Sequence, residues 1–438
     1  MQPNAARHLS AYGSAELSRA VAQVYDTFRS GEIWVGVLVG NKTTIAGIDS
    51  TGQIRNDGAQ SPRRPLFCLA KTVTGTLGLL AACEGRLDFD CGLAESDESP
   101  LKPWSRGVTL RQLLSHTHGL DLSHVGRTGI DSEGRIDVPA LAGSLGVSLR
   151  LYDPGALYSF GNAGCWLAAT MIERAYDAPY TQLVAERILN PAGIELDRRS
   201  AECVHWCPSM GGDVSLSLAD WLRFLGWFLQ HDGLRQHPEI RQPVPPSPPG
   251  WCFERGACAG WKSFGSGWLG QHTASGTQTV ALRVHPEEKV ALVVDADVGT
   301  GYAANIILAR LFARVLPEFL NMKVPRLLPT APPNADMAHC IGTYADTKSR
   351  IRVIPGDQGS LIMEVFEDLA AWRNNAPHRR LVAQPATQGA YIAEQLIFQF
   401  VSHPDNGITH LWNGRHLFRR LWQDTDVPRG GHKFLEHE

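Results

Sequence analysis

Long apolar runs are missing from this sequence. No stretch of the 438 residues approaches the roughly 18 consecutive apolar positions that a membrane-spanning helix needs. Met1–Arg19 mixes polar and charged residues with Ala where a secretory signal would carry an apolar core. Charge of one sign is also scarce: Lys and Arg number 41 against 44 Asp and Glu, a net charge of -3. No overall field therefore draws the chain to nucleic acid or to an anionic membrane. There is no internal repeat, and no glycine-rich phosphate loop, because Gly211-Gly212 lacks the Lys-Ser/Thr that would follow. These absences predict a cytoplasmic protein that acts on small molecules, has no nucleic-acid or membrane partner and uses no cofactor.

What is present is an ordinary globular composition, 43% hydrophobic and 19% charged, which excludes long disorder and low-complexity architectures. The length suits about three domains, or one large domain with an appendage. Nine cysteines are an odd set, expected without an export signal as reduced thiols rather than a disulfide framework. Most then serve as small buried hydrophobes, and the question is whether one of them reacts.

Residues 31–48 carry β-branched and aromatic residues around a Gly-Asn-Lys turn and read as a hairpin. The almost unbroken apolar stretch from Cys68 to Cys83, followed by Gly85, predicts a buried helix. Helical patterns follow at Leu110–Ser115, Ala163–Tyr176, Tyr180–Leu189 and Ser217–Gln230. Strand patterns return at Thr277–Val284 and Lys289–Asp295, before a helical Ala303–Val315. The outline is two β and α segments enclosing a helical insertion at about 88–235. Gln242–Gly250 reads as a Pro-rich surface loop, and Pro325–Asn334 as the domain boundary, because clustered prolines extend neither helix nor sheet. Beyond it, short alternating segments at Arg350–Ile354, Leu361–Phe366 and Thr409–Leu421, the last containing Asn413-Gly414, predict a small antiparallel β domain.

The first chemistry-bearing pattern is Phe67-Cys68-Leu69-Ala70-Lys71. In a helix beginning near Cys68, positions i and i+3 share a face, so the Lys71 ammonium neighbours the Cys68 sulfur. The helix N-terminus adds partial positive charge, and both favour the nucleophilic thiolate. The plain alternative is a buried cysteine beside a snorkelling surface lysine. A structural zinc on Cys203, Cys207, Cys252 and Cys258 is the one metal arrangement the cysteine spacing raises; the reading adopted assigns no metal.

The run KTVTGTLGLLAACEGRLDFD from Lys71 resembles the start of the serine β-lactamase and penicillin-binding-protein-like superfamily, in its class C β-lactamase, D-Ala-D-Ala-carboxypeptidase and esterase branch, where S-x-x-K opens the central helix. Three further segments agree in order. LRQLLSHTHGL at 110–120 resembles L-x-x-L-L-x-H-T-S-G-L, PGALYSFGNAGCWL at 154–167 resembles P-G-x-x-F-x-Y-S-N-x-G-Y-x-L, and GQHTASGT at 270–277 resembles the G-H-x-G-G-T strand. The resemblance covers roughly residues 30–315 and implies an antiparallel sheet flanked by helices, an α/β fold, as a catalytic domain over 1–325. The segment from Ile341-Gly342-Thr343-Tyr344 to Leu421 resembles, more weakly, the lipocalin-like β-barrel appended to some relatives, giving a second domain over 335–425 that can border the active site.

The sequence departs from that pattern where the chemistry lies. Cys68 stands at the family's nucleophilic Ser, Phe160 at the Tyr of Y-x-N, and Ala274 at a usual Gly, while Lys71, Asn162 and His272 are kept. The first two departures are chemically consistent. A hydroxyl needs a base in contact, whereas a thiol, with an ordinary pKa near 8.5, ionises beside a cation alone. A thioester also reacts with amines in preference to water more than an oxygen ester does.

The resemblance thus implies that Cys68 attacks a carbonyl and that Lys71 moves protons. The oxyanion hole would be the N–H groups of Cys68 and Ser275. Asn162 would bond Lys71 or a substrate amide, unless it simply caps its helix. His272 would assist the acceptor, unless it is a strand histidine satisfied within the fold, and His116 and His118 are read as structural. Phe160, Tyr158 and Ala274 would line the pocket, with Tyr158 able to return a phenol only if the backbone turns it to Phe160's face. The expected activity is acyl transfer from a small-molecule ester, amide or thioester to an amine or alcohol of a small metabolite, a biosynthetic tailoring step. The alternatives are an esterase, amidase or peptidase, and a binding protein that has lost catalysis.

Overall fold

In the computed structural model of the protein, the described residues are 5–28, 31–93, 99–101, 107–120, 129–145, 151–196, 206–212, 214–244, 256–273, 278–297, 303–316, 337–346, 349–386, 390–393, 396–403, 407–413 and 417–421. The Pro-rich boundary at 325–334, most of the loop at 242–250, and the turn glycine Gly414 lie outside them. Among the described residues no helix is long and apolar enough to cross a membrane.

The first unit is built on an eight-stranded antiparallel sheet. Its strands are β1 (Ile33–Val39), β2 (Lys42–Ile48) and β3 (Ile54–Arg55), then, after the two-residue partners β4 (Arg64–Pro65) and β5 (Ser215–Leu216), β6 (Gly256–Cys258), β7 (Trp261–Gly265), β8 (Trp268–His272), β9 (Gln278–His285) and β10 (Val290–Asp297). The order β3-β2-β1-β10-β9-β8-β7-β6 joins the first strands to the last through β1 and β10. The chain must therefore leave after β3 and return at β6, with the helical segment lying between. Period-two alternation gives the sheet two apolar faces. In β10, Val290, Leu292 and Val294 pack on one side, while Ala291 and Val293 pack on the other.

On the first side lie helices α1 (Ala5–Leu9) and α2 (Ser14–Phe28) and the helix Ala303–Leu311. Helix α2 is not among those the sequence predicts, yet Leu17, Val21 and Val24, at i, i+4 and i+7, form its buried stripe. The opposite side carries α3 (Ala70–Cys83), Ala163–Tyr176 and Leu218–Gln230. Ser217 and Asp220 close a capping box on the last of these. The predicted helix Tyr180–Leu189 is α-helical over Tyr180–Val184 and π-helical over Ala185–Leu189.

The C-terminal unit is a closed antiparallel barrel. Its strands are β11 (Gly342–Ala345), β12 (Arg350–Pro355), β13 (Leu361–Phe366), β14 (Arg379–Pro385), β15 (Ala390–Ala393), β16 (Leu396–His403), β17 (Gly407–Trp412) and β18 (Leu417–Leu421), and β11 pairs with β18 to close the ring. Tyr344, Val353, Leu361, Met363 and Leu411 fill the interior, as inward residues of a small barrel do. At one end Trp412 and Leu417 pack with Leu151, Tyr152 and Leu157 of the first unit.

Candidate active site

The site begins with a strained turn. Phe67 has φ +44, a left-handed conformation that costs a non-glycine residue about 1–3 kcal/mol. Next to it, Cys68 sits half-buried in the 3-10 turn Phe67–Leu69, and α3 starts only at Ala70. The expected helix start near Cys68 is thus two residues late, yet Cys68 and Lys71 keep their three-residue spacing across the junction. From Ala70 to Ala81 every residue of α3 is buried, including Lys71 and the threonines Thr72, Thr74 and Thr76.

Lys71 does not snorkel: its exposure is 0%. Its Nζ donates to Asn162 Oδ1 and to the Ser209 carbonyl, both at 2.8 Å. Three residues on, the Thr74 hydroxyl donates to the Pro208 carbonyl at 2.6 Å. One face of α3 therefore fixes the turn at 207–210 through two successive carbonyls. Asn162 occupies the cap position of the helix Ala163–Tyr176 but makes no side-chain cap bond, because its amide oxygen serves Lys71.

The segment 154–162 is shaped by His116, itself at φ +62. The His116 carbonyl accepts from Ser159 N (3.0 Å), and its Nδ1 accepts from Gly161 N (3.5 Å). The His116 ring stands 4.8 Å from Phe160 and 5.9 Å from Tyr158. Tyr158, Phe160 and Ala257 form one apolar cluster with Cys68 against it. The backbone does bring Tyr158 into the same cluster as Phe160, and the phenyl ring of Phe160 lies 5.0 Å from Lys71 Nζ.

His272 ends β8, buried and paired across to Ala281. Ala274 and Ser275, assigned to the pocket and the oxyanion hole, lie outside the described residues, as do Cys203 and Cys252. Cys207 and Cys258 are buried, and among the described residues no group of three or more His, Cys, Asp or Glu could hold a metal. Burial pushes the Cys165 thiol up to about 12 and raises that of Cys258, which makes both poor nucleophiles.

Sequence reasoning missed one charged neighbour. Lys262, the second residue of β7 and 7% exposed, places its Nζ 5.2 Å from the centre of the same Phe160 ring. Its only signal is a lysine inside the apolar run Trp261-Lys262-Ser263-Phe264. The turn between β6 and β7 reaches this place by backbone contact with α3. A Cβ on Gly75 would stand 1.8 Å from the Ala259 carbonyl oxygen, and one on Gly260 would stand 2.2 Å from that of Lys71. Only glycine permits either approach.

A model of the Beta-lactamase family matches residues 60–298, which span α3, both inserted motifs and the sheet strands β6–β10. Among solved structures, one titled "Crystal structure of SurE with D-Leu" superposes with a TM-score of 0.71 at 21% identity, over 93% of this chain and 99% of that one. The octameric penicillin-binding protein homologue from Pyrococcus abyssi gives 0.53 at 14%, over 93% and 100%. A D-stereospecific amidohydrolase from Streptomyces gives 0.50 at 18%, over 68% and 99%. No curated protein matches the sequence. At these identities the structures speak for the fold, and the family match carries the classification: the chain belongs to the beta-lactamase family, whose fold serves hydrolases and acyl-transfer enzymes.

Proposed function

We propose that the protein is a Cys-dependent acyltransferase. The Cys68 thiolate attacks the donor carbonyl carbon, and the carbonyl electrons move to oxygen. As the tetrahedral intermediate collapses, the bond to the leaving group breaks, and the Lys71 ammonium gives that group a proton. The product is a thioester on Cys68 and a neutral Lys71. An amine or alcohol then attacks the thioester, the carbon–sulfur bond breaks, and the acceptor's proton passes to Lys71, restoring both groups. Asn162 and Ser209 hold the Lys71 nitrogen for both transfers. His272 and Ser275 are assigned to acceptor binding and to the oxyanion.

The observation that carries this reading is the pairing of a sulfur nucleophile with a fixed, buried lysine where the phenol position holds Phe160. Position 160 itself offers a hydroxyl no phenol, whereas a thiolate needs only a neighbouring cation. The test is to incubate the enzyme with an activated ester at increasing amine concentration. Amide product rising with amine, at the expense of free acid, supports transfer. Free acid alone at every amine concentration would replace it with the hydrolase reading.

A further inference from the structure

Lysine carries a hydrated charge, and removing it from water costs several kcal/mol unless something compensates. This chain buries two of them around one aromatic ring: Lys71 at 5.0 Å and Lys262 at 5.2 Å from the centre of Phe160. They reach it from different elements, α3 and β7, which are locked together by the glycine contacts at Gly75 and Gly260. Ala257, the cross-strand partner of Lys262, belongs to the same cluster as Phe160, against which Cys68 packs. Among the described residues, the titratable groups of the surrounding elements include His116 and Tyr158 on the helical side, His272 at the end of β8, and the buried thiols Cys165 and Cys207. None of the groups named is a carboxylate, so no acidic side chain among them offsets the two lysines.

We propose that Lys262 is a second cation of the catalytic centre, a positioning residue that acts with Lys71 to hold Cys68 as the thiolate. The proposal rests on the reading of Cys68 as nucleophile given above, and it assigns a role to a strand that reading leaves idle. In this role Lys262 acts through its charge rather than by exchanging a proton or a bond with the substrate. Its charge lowers the energy of the anion at sulfur, and of the oxyanion that forms beside it, by attraction through a poorly solvated cluster.

The test is the pH profile of Cys68 alkylation by iodoacetamide, followed by intact mass in the wild type and in Lys262→Met, Lys262→Gln and Lys262→Arg, each checked for folding by thermal melting. Removing the charge is expected to raise the midpoint by about one pH unit and slow alkylation several-fold at neutral pH, with Lys262→Arg staying at the wild-type midpoint. Wild-type midpoints in both Met and Gln variants overturn the proposal, as does an arginine variant shifted as far as the methionine one. Amine transfer assayed in parallel separates the two ideas. A shifted profile in an enzyme that only hydrolyses removes the transferase reading and leaves Lys262 its role, while transfer with an unshifted profile removes the role of Lys262 alone.

Discussion

The backbone amide of Leu417, in the last strand of the barrel, donates to the Ser159 hydroxyl of the catalytic unit at 3.3 Å. Ser159 precedes Phe160, so the barrel grips the segment that also carries Asn162. Trp412 and Leu417 are buried at this contact. Trp412→Ala is expected to cost about 3–5 kcal/mol and to lower acyl-enzyme formation as well, because it loosens the segment that holds Lys71 in place. Denaturant titration beside a burst assay checks both. Full stability, or full burst with stability lost, would show that the contact does not reach the site.

His410 makes the same interface sensitive to acid. Its Nε2 donates to the Leu151 carbonyl at 3.0 Å. Burial, with the Arg419 charge adding to it, holds the imidazole below its ordinary value near 6.5. The unfolded chain therefore takes up this proton first as pH falls. The contribution is fully present above about 6.5 and is lost as pH falls through the lower folded value, with a slope of at most about 1.4 kcal/mol per pH unit. Stability of wild type and His410→Gln between pH 7.5 and 5 should show a steeper decline in the wild type. Parallel curves would contradict this.

On the acyltransferase reading, Cys68→Ser should give slow hydrolysis in place of transfer, because an oxygen ester loses the thioester's preference for amines. Adding Phe160→Tyr to that variant supplies a phenol beside Lys71 and should raise ester hydrolysis by about 10-fold or more. Product analysis of the single and double variants gives the answer, and equal rates would mean that position 160 is remote from the proton transfers.

Gly75→Ala tests the backbone contact between α3 and the β6–β7 turn. The new methyl would meet a carbonyl oxygen rather than a side chain able to move, so the variant should lose at least about 1–3 kcal/mol. Gly85→Ala is a control in open space, although its φ of +67 adds backbone strain. A Gly75→Ala melting point no lower than that control would show that the hairpin yields easily.

Much of the catalytic half was legible because its elements are long and strongly patterned. Ala163–Tyr176 is predicted and found with the same bounds, since its apolar positions and its turn residues agree. The three-residue spacing from Cys68 to Lys71 is equally plain, but spacing cannot tell a buried lysine from a snorkelling one. That distinction depends on Asn162 and Ser209, which arrive from 91 and 138 residues away. Strands β6 and β7 went unread because one is three residues long and the other is interrupted by a register shift at Ser263–Gly265, so neither carries clean alternation. Lys262 was invisible for the same reason, its place at Phe160 being set by two glycine contacts between distant segments. In the barrel, hairpins could be read locally, but closure through β11 and β18 is a pairing between the two ends of the domain.

The large sheet ends in very short strands on both sides, β3 with two residues and β6 with three, and β6 is further covered by the bridge between Ala257 and Val244. The barrel is closed by the pairing of β11 with β18. Exposed strand edges are templates on which a second chain can add, and β3 leaves Lys42–Ala46 of β2 as such an edge, since it pairs β2 only at Gly47 and Ile48. Among the described residues, a second copy that added a strand to the large sheet would therefore find this short run of β2 as its longest template.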